Sequence, residues 1–190
     1  MKKQQLLDEL KEKESRDPNL PLKDTATNLV FGFGNADAKV LFLGEAPGRF
    51  EDEKGLPFIG AAGKVLDQLL TGINLKREDV FISSVVHYRP PKNRQPKPSE
   101  IAAFSEYVDG TIEIINPAVI ATLGNFSLKK FLPDAKISEV HGKPYTLKWN
   151  GKDITLIPLY HPAAVLYRRK LLTTLEEDFK EISKQINLFS

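Results

Sequence analysis

The chain has 190 residues, 41% of them hydrophobic and 27% charged, with a formal net charge of +2. This is the make-up of one globular domain, residues 1–190, large enough to bury a substantial core; no apolar run approaches the ~20 residues that span a membrane, so a cytoplasmic monomer without a signal peptide is expected. The chain has no cysteine, which excludes a disulfide, a thiolate nucleophile and a thiolate-bound cluster.

Within the N-terminal segment 1–14, residues 2–14 carry Leu6, Leu7 and Leu10 at helical spacing among charges, the pattern of an amphipathic helix. Residues 15–27 read as a meandering loop. The apolar run 39–43 predicts a buried strand, and residues 44–60, rich in glycine and proline, a functional loop. Residues 61–70 form a helix with Val65, Leu66, Leu69 and Leu70 inward, and the β-branched run 80–86 a central strand. After the basic, proline-rich loop 89–98, Ser99 is placed as the N-cap of a helix to about residue 115. Residues 118–123 are another buried strand, and Asn125 caps a short helix to Phe131. The runs 145–149 and 153–159 flank Asn150-Gly151, a strong hairpin signal, and a last helix covers about 173–186. Alternating strands and helices predict an α/β/α sandwich around a central, mainly parallel four-stranded sheet.

Two turns stand out. Gly44-Glu45-Ala46-Pro47-Gly48 and His161-Pro162-Ala163-Ala164 each follow a buried apolar run. In open α/β sheets the crevice beyond the carboxyl ends of the strands is where ligands bind, so Glu45 and His161 are a candidate catalytic pair. A phosphate cradle at residues 44–48 is a weak alternative, because the Gly-Lys-Ser/Thr ending of a P-loop is missing. His87, His141 and His161 share no metal-ligand spacing with one another or with acidic residues, so no metal site is expected. The small net charge neither demands nor excludes a nucleic-acid partner, since a local basic face matters more than the total.

Val30-Phe31-Gly32-Phe33-Gly34-Asn35-Ala36-Asp37-Ala38, the Gly44–Gly48 turn with Glu51-Asp52, Pro57-Phe58-Ile59-Gly60-Ala61-Ala62-Gly63, Arg89-Pro90-Pro91-Lys92-Asn93-Arg94 and His161-Pro162-Ala163 occur in that order. Together they resemble the family-4 enzymes of the uracil-DNA glycosylase superfamily, over about residues 20–166. The resemblance implies removal of uracil from DNA by hydrolysis of its N-glycosidic bond, after the nucleotide is flipped out of the stack. It implies that Phe58 is the platform on which uracil stacks and that His161 hydrogen-bonds the O2 of the departing base. Glu45 would orient the water or stabilise the cationic sugar, while Gly44 and Ala46 would offer backbone amides to the base. The plain alternatives are a core aromatic for Phe58, a helix-capping residue for His161 and a loop carboxylate for Glu45. Phosphate contacts are expected from Arg89, Lys92, Asn93, Arg94, Lys143, Arg168 and Arg169, each of which also reads as part of a solvated basic face. Residues 167–170 lie where the superfamily inserts a loop into the groove.

Two departures accompany the resemblance. The family binds an iron–sulfur cluster through four cysteines; here Tyr88 and Phe104 stand at two of those positions, and the other two fall near Asp17 to Leu20. No cofactor is therefore expected, with large side chains filling the space. Ser84 stands where the family has an asparagine that reads the uracil edge, and His87 beside it is a further candidate for base reading. A hydroxyl in place of an amide leaves open excision of hypoxanthine or xanthine. A non-catalytic protein of this fold that binds damaged DNA is a separate alternative, against which the presence of both Glu45 and His161 counts. Ser84 also reads simply as a small strand residue. The tail 185–190, with Gln185 and Leu188-Phe189, resembles the peptide that binds the bacterial sliding clamp, although so short a match arises often by chance and Ile186 and Leu188-Phe189 also read as core packing.

Overall fold

A computed structural model describes residues 2–188. Helix α1 (Lys3–Arg16) leads to the short strand β1 (Phe33–Gly34) and to β2 (Val40–Gly44). Helices α2 (Arg49–Lys54) and α3 (Ala61–Gly72) precede β3 (Phe81–Ser84) and the long helix α4 (Pro98–Ile115). Then come β4 (Val119–Leu123), α5 (Asn125–Phe131), α6 (Ile137–Val140), β5 (Tyr145–Trp149) and β6 (Lys152–Leu159). The one-turn helix α7 (Ala164–Tyr167) and α8 (Leu171–Leu188) follow. None of these helices is long and apolar enough to cross a membrane.

All six strands join one sheet in the order β1-β3-β2-β4-β6-β5. The central four run parallel, while β1 and β5 pair antiparallel at the two edges. The four-stranded parallel sheet expected from sequence is thus the middle of a six-stranded one. The β5–β6 hairpin turns at Asn150 (φ 48°) and Gly151 (φ 79°), the paired left-handed conformations that such a two-residue turn requires.

Side-chain alternation along β2 divides the core. Leu41 and Leu43 face Leu7 of α1 and Phe104, Tyr107 and Ile112 of α4. Val40 and Phe42 face Leu66, Leu69 and Leu70 of α3 and Leu175, Phe179 and Ile182 of α8. Each such side chain, fully buried, stabilises the fold by roughly 1.5–3 kcal/mol before entropy is counted. Two helix starts differ from expectation. The cap of α4 is Lys97, not Ser99: Pro98 takes the first helical position, and Glu100 Oε2 reaches back to accept the Lys97 amide at 2.7 Å. Asn125 is already helical, and Gly124 (φ 91°) precedes it as the cap of α5.

The positions where the resemblance sets cluster ligands hold packed side chains. Tyr88 and Phe104 are buried and meet edge to face with centroids 6.1 Å apart, Leu20 joins the same cluster, and Asp17 accepts a 2.7 Å hydrogen bond from the Tyr107 hydroxyl. With no thiolate and the space taken by rings, an iron–sulfur cluster does not fit this donor set.

Beside these rings runs a buried polar chain. Glu14 Oε1, at the end of α1, lies 2.7 Å from His87 Nδ1. His87 Nε2 lies 3.1 Å from Ser83 Oγ, which donates to the Phe31 carbonyl at 2.7 Å. This overturns the expectation that His87 helps to read the base: β3 ends at Ser84, the chain turns, and the His87 ring packs between Phe31 and Phe104 on the α1 side. At the other end of the chain, α8 continues through Gln185, and Ile186 packs partly against the core. The side chains of Leu188-Phe189 in the tail reading lie outside the described residues.

Candidate active site

Parallel pairing brings the carboxyl ends of β3, β2, β4 and β6 to one edge of the sheet. The register Gly44↔Ser84 sets Ser84 beside the start of the Gly44–Gly48 turn. Two residues beyond the end of β6, His161 enters the same edge. A recess of about 170 Å³ opens there, lined by Phe58, Ser84, His161, Glu51 and the Ala46-Pro47-Gly48 turn. A wider groove of about 490 Å³ adjoins it, sharing that turn and His161 and adding Glu45, Asn93, Arg94 and Tyr167. The crevice expected from the two turns therefore exists. Glu45 and His161 both line the groove, and only His161 also lines the recess.

Phe58 is 7% exposed and holds φ at +51°, a left-handed conformation that costs a bulky residue of order 1–3 kcal/mol. Its ring lies over Gly44, where a Cβ would come within 2.7 Å of two ring carbons. Gly44 thus contributes space: any side chain there displaces the ring. The turn around Phe58 is tied down by Glu51, whose Oε1 accepts the amides of Ile59 at 2.9 Å and Gly60 at 2.8 Å. Asp52, buried beside it, accepts the amides of Thr27 and Asn28. The acidic pair Glu51-Asp52 thereby anchors two loops at the recess.

His161 stacks on Phe58, with ring centroids 5.6 Å apart and planes inclined by 28°. Its Nδ1 accepts the Ala163 amide at 3.1 Å, which leaves the proton of the neutral ring on Nε2. Burial pushes the imidazole down to about 4, with the nearby Glu51 carboxylate opposing the shift. At neutral pH this residue is an uncharged N–H donor. Burial also pushes the Glu45 carboxyl above its ordinary value, which makes it a stronger base.

The predicted phosphate contacts are differently employed. Lys92, Arg168 and Arg169 are exposed. Arg89 Nε donates to Asn93 Oδ1 at 2.7 Å, so these two brace one another. The Arg94 guanidinium grips both oxygens of Glu100 at 2.8 and 2.6 Å and holds that carboxyl down at about 2. Lys143 lies away from the groove lining and donates to the Glu139 carbonyl at 2.7 Å. Tyr167 projects from α7 at 88% exposure on the groove's rim. Sequence reasoning assigned no role to Glu51, although it quoted the residue within a motif, and it overlooked Gly124, where a Cβ would lie 3.1 Å from that of His161. Among the described residues no group of three or more His, Asp or Glu side chains is placed to hold a metal ion.

Comparison with known proteins agrees with this architecture. A family model described as the Uracil DNA glycosylase superfamily matches residues 31–186. The chain belongs to that superfamily. It is 47% identical over 168 residues to the Type-4 uracil-DNA glycosylase of Archaeoglobus fulgidus, covering 86% of this chain and 84% of that protein. To the Type-4 uracil-DNA glycosylase of Sulfurisphaera tokodaii it is 45% identical over 182 residues, 93% of this chain and 83% of that one. To that of Thermotoga maritima it is 41% identical over 170 residues, 88% of this chain and 86% of that one.

Proposed function

We propose that this protein excises uracil from DNA by hydrolysing the bond between the base and its deoxyribose, leaving an abasic site for base excision repair. The observation that carries the reading is the recess itself: an aromatic ring, a neutral imidazole donor and a hydroxyl converge on a space for one base, with a carboxylate in the adjoining groove. A flipped uracil stacks on Phe58 with its edge toward Ser84 and the Ala46 turn. As the N1–C1′ bond breaks, its electron pair leaves with the base, and charge builds on O2. His161 Nε2–H donates to that oxygen; a preorganised donor of this kind contributes about 10²- to 10³-fold to rate. The sugar, left electron-poor, lies in the groove. Glu45 stabilises its positive charge and takes the proton from the water that adds to C1′. No covalent enzyme intermediate is needed, so the strand is not cut.

Lys92, Arg168 and Arg169 supply phosphate contacts from the two rims of the groove. Arg89, Asn93 and Arg94 shape the loop that carries Lys92, and Lys143 contributes from farther out. Packed rings at the cluster positions support a protein that works without iron. Binding of a sliding clamp through Gln185–Phe189 is tested by deleting residues 185–190 and looking for loss of clamp binding.

A second reading, excision of hypoxanthine or xanthine, draws on the Ser84 hydroxyl in the recess, which lacks the paired donor and acceptor of an amide. One assay separates the readings. Labelled oligonucleotides carrying uracil, hypoxanthine or xanthine are incubated with the protein and then with alkali. Alkali-labile sites at uracil support the first reading, and sites mainly at a purine support the second. DNA retention without any such site would mean a binding protein.

A further inference from the structure

The turn that carries Phe58 is gripped from behind by a residue to which the reaction gives no role. Arg77 begins the 3-10 turn Arg77–Asp79 between α3 and β3. Its Nη1 donates to the Pro57 carbonyl at 3.0 Å, and its Nη2 to the carbonyls of Phe58 and, at 3.3 Å, Gly63. Its Nε donates to Asp67, one turn further along α3. The arginine side chain is 18% exposed, and it does not line the recess.

Three carbonyls converging on one guanidinium is a costly arrangement to build, because each acceptor and the cation give up water. Its geometry accounts for why it exists. Phe58 sits in the left-handed region, which persists for a bulky residue only where the surroundings over-determine it. The first turn of α3 presses so closely on Phe58 that a Cβ on Gly63 would fall 1.7 Å from the Phe58 carbonyl oxygen. Arg77 supplies the donor that this crowded oxygen needs, and it binds the residues on both sides of it. Lysine, with one compact ammonium group, cannot span the same three acceptors and the carboxylate.

We propose that Arg77 is the positioning residue of the base platform: it holds the Phe58 backbone in its left-handed turn and so fixes the ring that receives the flipped base, without touching base or DNA. The proposal rests on the reading of Phe58 as that platform.

The test is a double-mutant cycle on the full chain, using a uracil-containing oligonucleotide under single-turnover conditions, with DNA affinity and Tm measured alongside. Arg77→Lys should slow excision about tenfold or more at saturating DNA, since misplacing a positioned group by 1 Å can cost up to ~10²-fold. DNA affinity should stay within about twofold, because phosphate contacts dominate it. In the Phe58→Leu background the same substitution should change the rate less than about twofold, as the group it positions is gone. An equal loss in both backgrounds, or no loss in the parent, overturns the proposal. Full activity of Phe58→Leu alone instead overturns the platform reading on which it rests. Should Arg77→Lys fail to fold, Asp67→Asn keeps the arginine and loosens its orientation: a smaller loss, absent in the Phe58→Leu background, is expected, and an undiminished rate overturns the proposal.

Discussion

The imidazole of His161 lies against the ring of Phe58, 5.6 Å between centroids and 28° from parallel. This contact joins elements far apart in sequence, the turn ahead of α3 and the exit of β6, and it makes the two candidate base-binding groups share one wall of the recess. Behind them stand two glycines, Gly44 under the Phe58 ring and Gly124 against the His161 Cβ. The wall is therefore sensitive to single methyl groups.

Gly44→Ala tests that sensitivity. The added Cβ meets ring carbons of Phe58 at 2.7 Å, so the ring must tilt or shift. We predict a fall of about tenfold or more in kcat/KM on uracil DNA, with DNA affinity little changed, because the phosphate contacts lie elsewhere. A steady-state series with a parallel mobility-shift titration reads both quantities.

Acidity affects rate and stability through the same two side chains. The proposed reaction has Glu45 ionised and His161 neutral. The Glu45 carboxyl is raised above its ordinary 4.5 by burial, whereas the His161 imidazole stays neutral down to about 4. The acid limb of kcat/KM should therefore follow Glu45, lying above the ordinary carboxylate range, and Glu45→Gln should lose that limb together with most of the rate. For stability the signs differ. A raised carboxyl binds its proton more tightly in the folded chain, so ionised Glu45 costs stability as pH rises, and Glu45→Gln should melt higher than the parent at pH 7. A lowered imidazole is protonated first in the unfolded chain, so the His161 contribution is intact above pH 6.5 and is lost as pH falls from 6.5 toward 4. Melting curves of the parent, Glu45→Gln and His161→Gln at several pH values check both signs.

The buried Glu14–His87–Ser83 chain ties α1 to β3 where the related enzymes were expected to carry a cluster. Glu14 Oε2 is buried without a hydrogen-bond partner, so the carboxyl depends on His87. Leaving a buried polar group unpaired typically costs ~1–3 kcal/mol, and truncating a buried ring leaves a cavity that costs a few more, which for a chain of this size lowers Tm by on the order of 10 °C. We predict such a drop for His87→Ala, with excision per folded molecule retained at low temperature. Iron chelators should leave the Tm of the parent unchanged. Scanning calorimetry with and without chelator decides both points.

Ser84 lines the recess and is the proposed determinant of base selectivity. An asparagine there would regain a donor and an acceptor on one planar group, facing the edge of a bound base. Ser84→Asn should raise the preference for uracil over hypoxanthine by about tenfold or more, since matched polar contacts discriminate strongly between bases. Equal rates of change for the two substrates would remove Ser84 from base recognition.

Much of this was legible in the chain because the signals were local. The apolar runs of β2, β4 and β6 and the Asn150-Gly151 turn carry their own geometry, and Glu45 and His161 follow two of those runs, whereas Phe58 and Ser84, the last residue of β3, were singled out by the family resemblance. Most of what was missed depends on long-range contacts, the Ser99 cap being a local exception. Strand β1 is two residues long and exists by pairing with β3. The Ser99 cap was displaced because Glu100 reaches back to Lys97, with Pro98 holding the first helical position. His87 neighbours Ser84 in sequence, but beyond the end of β3 the chain turns its ring toward Glu14. Arg77 gave no signal, since an isolated arginine in a short turn reveals its role only when three distant carbonyls are seen to converge on it.

The most direct test of the account is the single-turnover rate of uracil excision by His161→Asn, measured beside its affinity for the same DNA. The account predicts a rate lowered by about 10²- to 10³-fold, with affinity nearly unchanged, because the lost interaction forms only as charge reaches the departing base. An unaltered rate would contradict it and move His161 from the chemistry to the scaffold.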